Sequence, residues 1–481
     1  MIKQLLKFLS FAIFLALVGC TNSESGRKGE FTIAILHTND VHGEIANYPK
    51  LASYKKELEK KYNKVLLVSA GDIFSGNAFI DFYEDKGYPM VDLMNKVGYD
   101  VAELGNHEFD YGQEIFAKRI HQADFPFICA NIKTLNDSLP TFEPYKIFNI
   151  KGIKLLFLGL IQTGGKDNLP STHPDNVAGY KFIKADDVLD QYASLKDSAD
   201  AFIGLTHLGY KWDKSIAEKT NMFDVIIGGH SHTFIDSAEF VNNILITQTG
   251  DDLRYVGKTL LTFTDGILTK REYEVIKLDT LSNEDQQLAQ LVKNYLSNGT
   301  LSKVLGKAAS DIKGKQELGC LFNDAQVYTQ GIDFAFQNGG GIRTSKIPAG
   351  DITSAVVYDL DPFGNNLVEF NLTVPEIQSL IRNSYQYSGE IDLYMGGGSY
   401  VINLDKDGKV KDIEIIRSNG QAVNPDSTYQ VGLSSYIASK YKFDHADTGR
   451  SLNVTTADNL IKFIQQKGVI DYSGCMSAEV R

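Results

Sequence analysis

The chain has 481 residues, 43% of them hydrophobic and 22% charged, with a formal net charge of −12. That length exceeds what one ordinary core supports, so two domains are expected. The acidic balance argues against a nucleic-acid polymer as partner but leaves a small anionic substrate open, because a metal site sets its own local field.

Lys3 and Lys7 precede an apolar run, Phe8 to Val18, that is too short for a comfortable membrane span. The run ends in Leu17-Val18-Gly19-Cys20, which resembles a bacterial lipoprotein signal cut before a lipidated cysteine. Residues 1–20 are therefore expected to be a signal peptide and 21–30 a flexible polar tether, with Cys20 lipidated. This reading places the protein in the cell envelope, periplasmic or surface-exposed, held to a membrane through its lipid. Three cysteines remain, Cys129, Cys320 and Cys475. Their odd count and spacing match no zinc motif and define no full disulfide framework. Cys129, within Phe127-Ile128-Cys129-Ala130, reads as a buried core residue.

The first strand is Phe31 to Leu36, leading into His37-Thr38-Asn39-Asp40-Val41-His42-Gly43. Asp40 and His42 are two apart where the strand ends, and in extended chain such residues point to one side. A helix follows over Leu51 to Tyr62, then a strand, Val65 to Ser69, running into Ala70-Gly71-Asp72. Val91 to Val97 reads as a helix, and Val101 to Leu104 as a strand entering Gly105-Asn106-His107-Glu108-Phe109-Asp110-Tyr111-Gly112. Phe127–Ala130 and Ile153–Leu160 are further strands. The strand Ala201–Thr206 stops at His207, and Asp224–Ile227 stops at Gly228-Gly229-His230-Ser231-His232.

Five strands thus end in a small residue followed by Asp, Asn or His. Ligands in α/β sheets gather outside the carboxyl ends of the strands, so these endings converge on one edge. Mixed nitrogen and oxygen donors without cysteine suit zinc, manganese or iron better than calcium or magnesium. The set is too large for one tetrahedral ion. It suits two divalent ions about 3.5–4 Å apart, the arrangement that clamps a phosphoryl group. His37, His121, His173 and His445 lack this context and read as structural.

The motifs Thr38-Asn39-Asp40-Val41-His42-Gly43, Gly71-Asp72, GNHEFDYG, Thr206-His207 and Gly229-His230-Ser231-His232 resemble those of the 5'-nucleotidase family of calcineurin-like metallophosphoesterases. The resemblance implies an α/β fold, a sandwich of mixed β-sheets flanked by helices over residues 31–280, then a linker helix over 281–300 and a second α/β domain over 301–481. It implies that Asp40, His42 and His232 hold one metal, that Asn106, His207 and His230 hold the other, and that Asp72 bridges them. His107 would act on the phosphoryl group, with Asp110 orienting and charging its ring.

In the second domain Asp333–Phe336 reads as a strand entering Gln337-Asn338-Gly339-Gly340-Gly341-Ile342-Arg343. Glycines there let backbone approach a ligand, and arginine pairs well with phosphate. The stretch resembles the family's NGGGIR motif, which implies substrate contacts from Asn338, Gly340 and Arg343. Asp361-Pro362-Phe363-Gly364-Asn365 resembles its PFGN segment, and Tyr436 falls where the family places a second aromatic. Phe363 and Tyr436 would clamp a nucleobase. Two departures stand out. The family's arginine before a Gly-Asn pair is absent from Lys313-Gly314-Lys315-Gln316-Glu317-Leu318-Gly319-Cys320, and its GGDG segment is replaced by Ser439-Lys440-Tyr441-Lys442-Phe443, which holds no acid. The implied activity is hydrolysis of nucleotides, by default 5'-nucleoside monophosphates. Alternatives are a UDP-sugar diphosphatase, a 2',3'-cyclic-nucleotide phosphodiesterase, a relative acting on a thiosulfate carrier, or a non-catalytic nucleotide-binding lipoprotein. Oligomeric state is not legible.

Overall fold

A computed structural model describes residues 29–165, 167–297, 299 and 301–481. The expected signal peptide, Cys20 and tether residues 21–28 lie outside them. The chain divides into two compact units: the first runs through Ile73 and resumes over Met90–Gln290, and the second comprises Phe74–Pro89 and Leu291–Arg481.

The first unit contains β1 (Glu30–Thr38), β2 (Lys64–Ser69), β3 (Val101–Glu103), β4 (Phe127–Ile128), β5 (Ile132–Thr134), β6 (Tyr145–Ile150), β7 (Ile153–Ile161), β8 (Tyr180–Phe182), β9 (Ala201–His207), β10 (Val225–Ile227), β11 (Glu239–Val241), β12 (Ile244–Thr247), β13 (Tyr255–Thr264) and β14 (Ile267–Lys277). Two six-stranded sheets form, in the orders β14-β13-β1-β2-β3-β4 and β11-β12-β10-β9-β7-β6, while β5 and β8 pair as a separate ribbon. Strands β1 to β4 are mutually parallel, as are β7, β9, β10 and β12. Parallel neighbours need a crossover, and the helices Tyr48–Glu59, Tyr88–Val97, Gly112–Gln122 and Tyr210–Lys219 supply it. Antiparallel strands close three of the four outer edges, and the parallel strand β4 forms the fourth.

Parallel strands covered on both faces read as near-continuous apolar runs, which is why β2 and β7 were legible without alternation. Ile33, Ile35, Leu66 and Val68 of one sheet share a core with Leu155, Phe157, Ile203, Leu205 and Ile226 of the other, making a two-sheet sandwich. Each such side chain contributes about 1.5–3 kcal/mol when fully buried. His37 belongs to this framework: it is buried and its ring lies 5.8 Å from that of Tyr273. Burial pushes its pKa down to about 3, so it stays neutral.

Several elements differ in extent from the sequence reading. The first helix starts at Tyr48, with Pro49 in its first turn, where a missing N–H costs nothing. The final strand of the sandwich, read from the sequence as Glu274 to Leu278, begins at Ile267, because pairing with β13 continues far beyond the apolar stretch. The helix expected between the domains spans Gln286–Tyr295. Residues 74–89, read as part of the first domain, cluster with the second unit. There the short helix Ala78–Asp81 meets the helix Ser354–Leu360: the Ala78 N–H donates to Asp359 Oδ1 at 3.2 Å, and Phe82 and Tyr358 rings lie 3.8 Å apart.

The second unit is built on a five-stranded sheet that holds Phe334–Asn338, Asn366–Thr373, Leu393–Gly396, Thr428–Ser434 and Arg450–Thr455. Phe334–Asn338 and Thr428–Ser434 are parallel neighbours, and Asn366–Thr373 runs antiparallel to the latter, with Leu367 opposite Ser434. One core packs the helix Val374–Ser388 on this sheet, and another packs the helices Gly314–Gln330 and Thr456–Lys467 together. Cys320 and Cys475 form a disulfide across 155 residues of chain, a pairing that count and spacing did not define. Cys129 is a free, buried cysteine, as read from its apolar neighbours. Among the described residues no helix is long and apolar enough to cross a membrane.

Candidate metal centre

The parallel strands of both sheets deliver their carboxyl ends to one edge of the sandwich. After β1 comes the loop with Asp40 and His42, after β2 Asp72, and after β3 Asn106 and His107. From the second sheet β9 ends on His207 and β10 leads to His230 and His232. The loops adopt left-handed backbone at the donor residues: φ is +50° at Asp40 and His42, +53° at Asp72, +78° at His230 and +52° at His232. Such conformations cost about 1–3 kcal/mol each outside glycine, and strain of this kind concentrates at functional sites. Close backbone approach depends on Gly105, where a Cβ would fall 2.2 Å from Asp72 Oδ1.

The donors form three overlapping groups whose ligand atoms lie within 4.8 Å of one another: Asp40, His42 and His232; His42, Asp72 and His107; Asp72, His207 and His230. Asn106 joins the last, its Oδ1 lying 3.0 Å from His230 Nδ1. Asp72 is central, with Oδ2 3.0 Å from His207 Nε2, 3.8 Å from His42 Nε2 and 4.0 Å from His107 Nε2. All seven residues expected to bind metal are therefore brought together, with Asp72 shared between two groups.

The chemistry of these donors fits a cation. His207 Nδ1 lies 2.7 Å from the Ala70 carbonyl, so that nitrogen donates. In the neutral ring, Nε2 then turns a lone pair toward the Asp72 carboxylate, the tautomer that metal-binding histidines adopt. Two acceptors facing each other in a dry site demand positive charge between them. Burial works to lower the His207 pKa, but Asp72 and Asp40 outweigh it and push it up to about 10. His207 and His107 correspondingly outweigh burial at Asp72 and hold that carboxyl well below its usual range. A proton on His207 can satisfy this demand, and so can a bound metal. His42 Nε2 and His232 Nε2 also converge, at 3.1 Å, while His232 Nδ1 is 3.1 Å from Asp251 Oδ2.

His107 is oriented by a carboxylate on its second nitrogen, as His232 is. Nδ1 is 2.6 Å from Asp110 Oδ2, and Thr172 donates to the other Asp110 oxygen at 3.1 Å. Asp110 thus fixes the ring tautomer and presents Nε2 to the donor cluster.

Several supporting residues escaped the sequence reading. Glu108 is fully buried and accepts from the backbone N–H groups of Asp72 (3.1 Å), Ile73 (2.5 Å) and Gly105 (2.5 Å). It ties the β2 loop to the β3 loop, and its place between His107 and Asp110 was the only signal. Asn39 donates to Asp40 Oδ2 at 2.6 Å and to the Gly250 carbonyl at 2.7 Å. Asp213, on the helix after β9, accepts from Thr206 Oγ1 at 2.7 Å just before His207.

The residues expected to touch substrate lie in the second unit. Asn338 ends one parallel strand and Gly340 follows it, Tyr436 follows its neighbour, and Phe363 precedes the adjacent antiparallel strand, so topology gathers them at one sheet edge. The Arg343 guanidinium lies 5.7 Å from the centre of the Phe363 ring. Tyr436 is half-buried and also packs against the sheet's core. Lys315 is exposed as a residue, and its ammonium donates to the Ile342 carbonyl. Burial, then the Arg343 charge, pushes its pKa down to about 8, with Asp392 opposing.

Residues 33–234 match the calcineurin-like phosphoesterase family, and residues 298–446 match the 5'-nucleotidase C-terminal domain family. The chain therefore carries a calcineurin-like phosphoesterase domain followed by a 5'-nucleotidase C-terminal domain. It is 27% identical to the trifunctional nucleotide phosphoesterase protein YfkN of Bacillus subtilis, over 87% of this chain but only 32% of YfkN's length. It is 26% identical to a 5'-nucleotidase of Vibrio cholerae, over 89% of each. In three dimensions it resembles a 5'-nucleotidase precursor from Thermus thermophilus, with a TM-score of 0.82 at 24% identity, covering 94% of this chain and 99% of that one. That likeness establishes the shared two-domain α/β fold.

Proposed function

We propose that the protein is a dimetal phosphoesterase that hydrolyses 5'-nucleoside monophosphates to nucleoside and phosphate. The observation that carries this reading is the pair of donor groups sharing Asp72, with His107 facing them. Asp40, His42 and His232 would hold one ion, Asn106, His207 and His230 the other, and Asp72 both. Zinc, manganese and iron all suit these donors. Such ions supply Lewis acidity at a phosphoryl oxygen and acidify water at neutral pH. The chain's own contribution is to fix the ring tautomers that turn a lone pair on Nε2 toward the ions, through the Ala70 carbonyl on His207 and Asp251 on His232. In hydrolysis a water oxygen bonds to phosphorus and the bond to the ester oxygen breaks. His107 Nε2 stabilises the phosphoryl charge and gives its proton to the departing oxygen, while Asp110 stabilises the protonated ring.

Base recognition is assigned to Phe363 and Tyr436, with Asn338, Gly340 and Arg343 alongside. Relatives named as nucleotide phosphoesterase and 5'-nucleotidase support a nucleotide substrate. A second reading, a UDP-sugar diphosphatase, draws on one feature: Lys315 and Arg343 place two positive charges near each other, which suits a second anionic group on the substrate. The anchor at Cys20 completes the proposal and would hold the enzyme at an envelope membrane.

The test is metal analysis together with phosphate release from a panel of nucleoside monophosphates, UDP-sugars and 2',3'-cyclic nucleotides. Metal near two equivalents and turnover on the monophosphates are expected. Metal-free protein that binds nucleotides without turnover would replace the enzyme reading with the binding lipoprotein. Phe363→Ala should weaken nucleotide use far more than use of para-nitrophenyl phosphate. A Cys20→Ala protein that still takes up a labelled acyl chain would remove the anchor.

A further inference from the structure

Of the parallel strands in the second sheet, β9 and β10 deliver donors at their carboxyl ends, whereas β12 delivers a brace. β12 pairs in parallel with β10, Thr247 opposite Ile227, so the next residue, Gln248, emerges beside Gly228 and Gly229. Gln248 is buried. Its Nε2 donates to the Gly229 carbonyl at 2.7 Å, and its Oε1 accepts from the Thr233 N–H at 2.5 Å and from Ser231 Oγ at 2.8 Å.

The partners fix which way this amide faces. A carbonyl only accepts and a backbone N–H only donates, so the opposite flip would set acceptor against acceptor and donor against donor. Ser231 passes the link on. With its proton given to Gln248, Oγ accepts from the Tyr210 N–H at 2.9 Å, at the head of the helix that follows His207. One side chain thus grips residues 229–233 before His230, between the two histidines and after His232. The backbone of both histidines is left-handed, at φ +78° and +52°. Such conformations persist only where the surroundings over-determine them.

His230 and His232 belong to different donor groups, the first with Asp72 and His207, the second with Asp40 and His42. We infer that Gln248 is the positioning residue that sets the separation of His230 and His232, and through it the spacing of the two metal positions. This rests on the dimetal reading above. Thr249 extends the brace to the other sheet: its N–H and Oγ1 donate to Asn39 Oδ1 at 2.9 Å and 2.7 Å, and Asn39 in turn holds Asp40. The segment after β12 supplies none of the seven expected ligands, yet it orients ligands carried by both sheets.

The experiment titrates metal-free wild type, Gln248→Met and Ser231→Ala with cobalt(II), whose visible absorption reports coordination geometry, and takes a melting curve of each metal-free protein. Gln248→Met keeps the length of the side chain and loses all three bonds. Ser231 is exposed, so Ser231→Ala removes one bond without opening the core. Wild type should take up two equivalents. Gln248→Met should bind both ions about 10–100-fold more weakly, with a shifted absorption band, and Ser231→Ala should lose about tenfold. A glutamine that serves the fold alone would lower the melting temperature and leave affinity and spectrum untouched. Wild-type affinity and spectrum in folded Gln248→Met, or in Ser231→Ala if Gln248→Met does not fold, would overturn the inference. A loss confined to one of the two ions would overturn it as well, because the grip spans a ligand of each. If wild type takes up two equivalents and the variants bind them equally well, this inference alone falls. If wild type takes up fewer than two, the dimetal reading falls and takes this inference with it.

Discussion

Replacing Glu108 by glutamine tests whether the donor cluster is held from below by backbone hydrogen bonds. Glu108 Oε2 accepts from Asp72 N–H at 3.1 Å and Gly105 N–H at 2.5 Å, and Oε1 from Ile73 N–H at 2.5 Å. Glutamine keeps one acceptor and turns an NH2 group toward backbone N–H in a buried site. At least one backbone donor then loses its partner, at about 1–3 kcal/mol, and the bonds that remain lose the strength lent by charge. A total near 3 kcal/mol is the expectation, which for a unit of this size lowers Tm by about 6–12 °C. The same change frees the loop that carries Asp72, so metal affinity should fall together with Tm. Calorimetric melting with and without added metal, paired with metal titration, reads both. A Glu108→Gln protein with wild-type Tm and wild-type metal affinity would refute the reasoning, because three buried backbone donors would then have been insensitive to their acceptor.

Asp72→Asn should lower the metal content of both positions, since one carboxylate serves both donor groups; elemental analysis that finds one full equivalent retained would contradict a shared ligand. His107→Asn should keep its metal and lose about 10²–10⁴-fold in kcat, whereas loss of metal would show that His107 is a ligand. Cys320→Ala with Cys475→Ala opens a 155-residue loop and should destabilise the second unit by up to about 5 kcal/mol in the chain-entropy account, read by denaturant melting against the native protein; an unchanged midpoint under non-reducing conditions would exclude the disulfide. Lys315, whose pKa is pushed down to about 8, is charged below that pH and neutral above it, so KM for nucleotides should rise as pH passes about 8 and Lys315→Arg should flatten that rise. The sign for stability is opposite: an unfolded lysine holds its proton to about 10.4, so between the two values the unfolded chain binds more protons and this group favours folding as pH rises. A KM profile identical in wild type and Lys315→Arg would remove Lys315 from substrate binding.

The sequence by itself determined the parallel strands and the residues at their ends. Strands buried on both faces must be apolar throughout, and a chain leaving such a strand toward a charged site must turn at once. β1, β2, β9 and β10 were therefore legible together with Asp40, Asp72, His207 and His230, and the order of those motifs was enough to identify the family. What the sequence did not reveal were partnerships between residues distant along the chain. Nothing local distinguishes Cys320 with Cys475, or Asp392 with the Tyr441 hydroxyl that donates to it, from unrelated surface and core residues, because each pair exists only after segments distant along the chain have packed together. Glu108 was legible as a motif letter, but its three backbone partners belong to two loops that meet only in the folded sandwich. The strand-end donors could be read because secondary structure alone carries them to one edge; tertiary packing decided which side chains orient them, since a hydrogen bond depends on distances of a few tenths of an ångström that no pattern of residue types records.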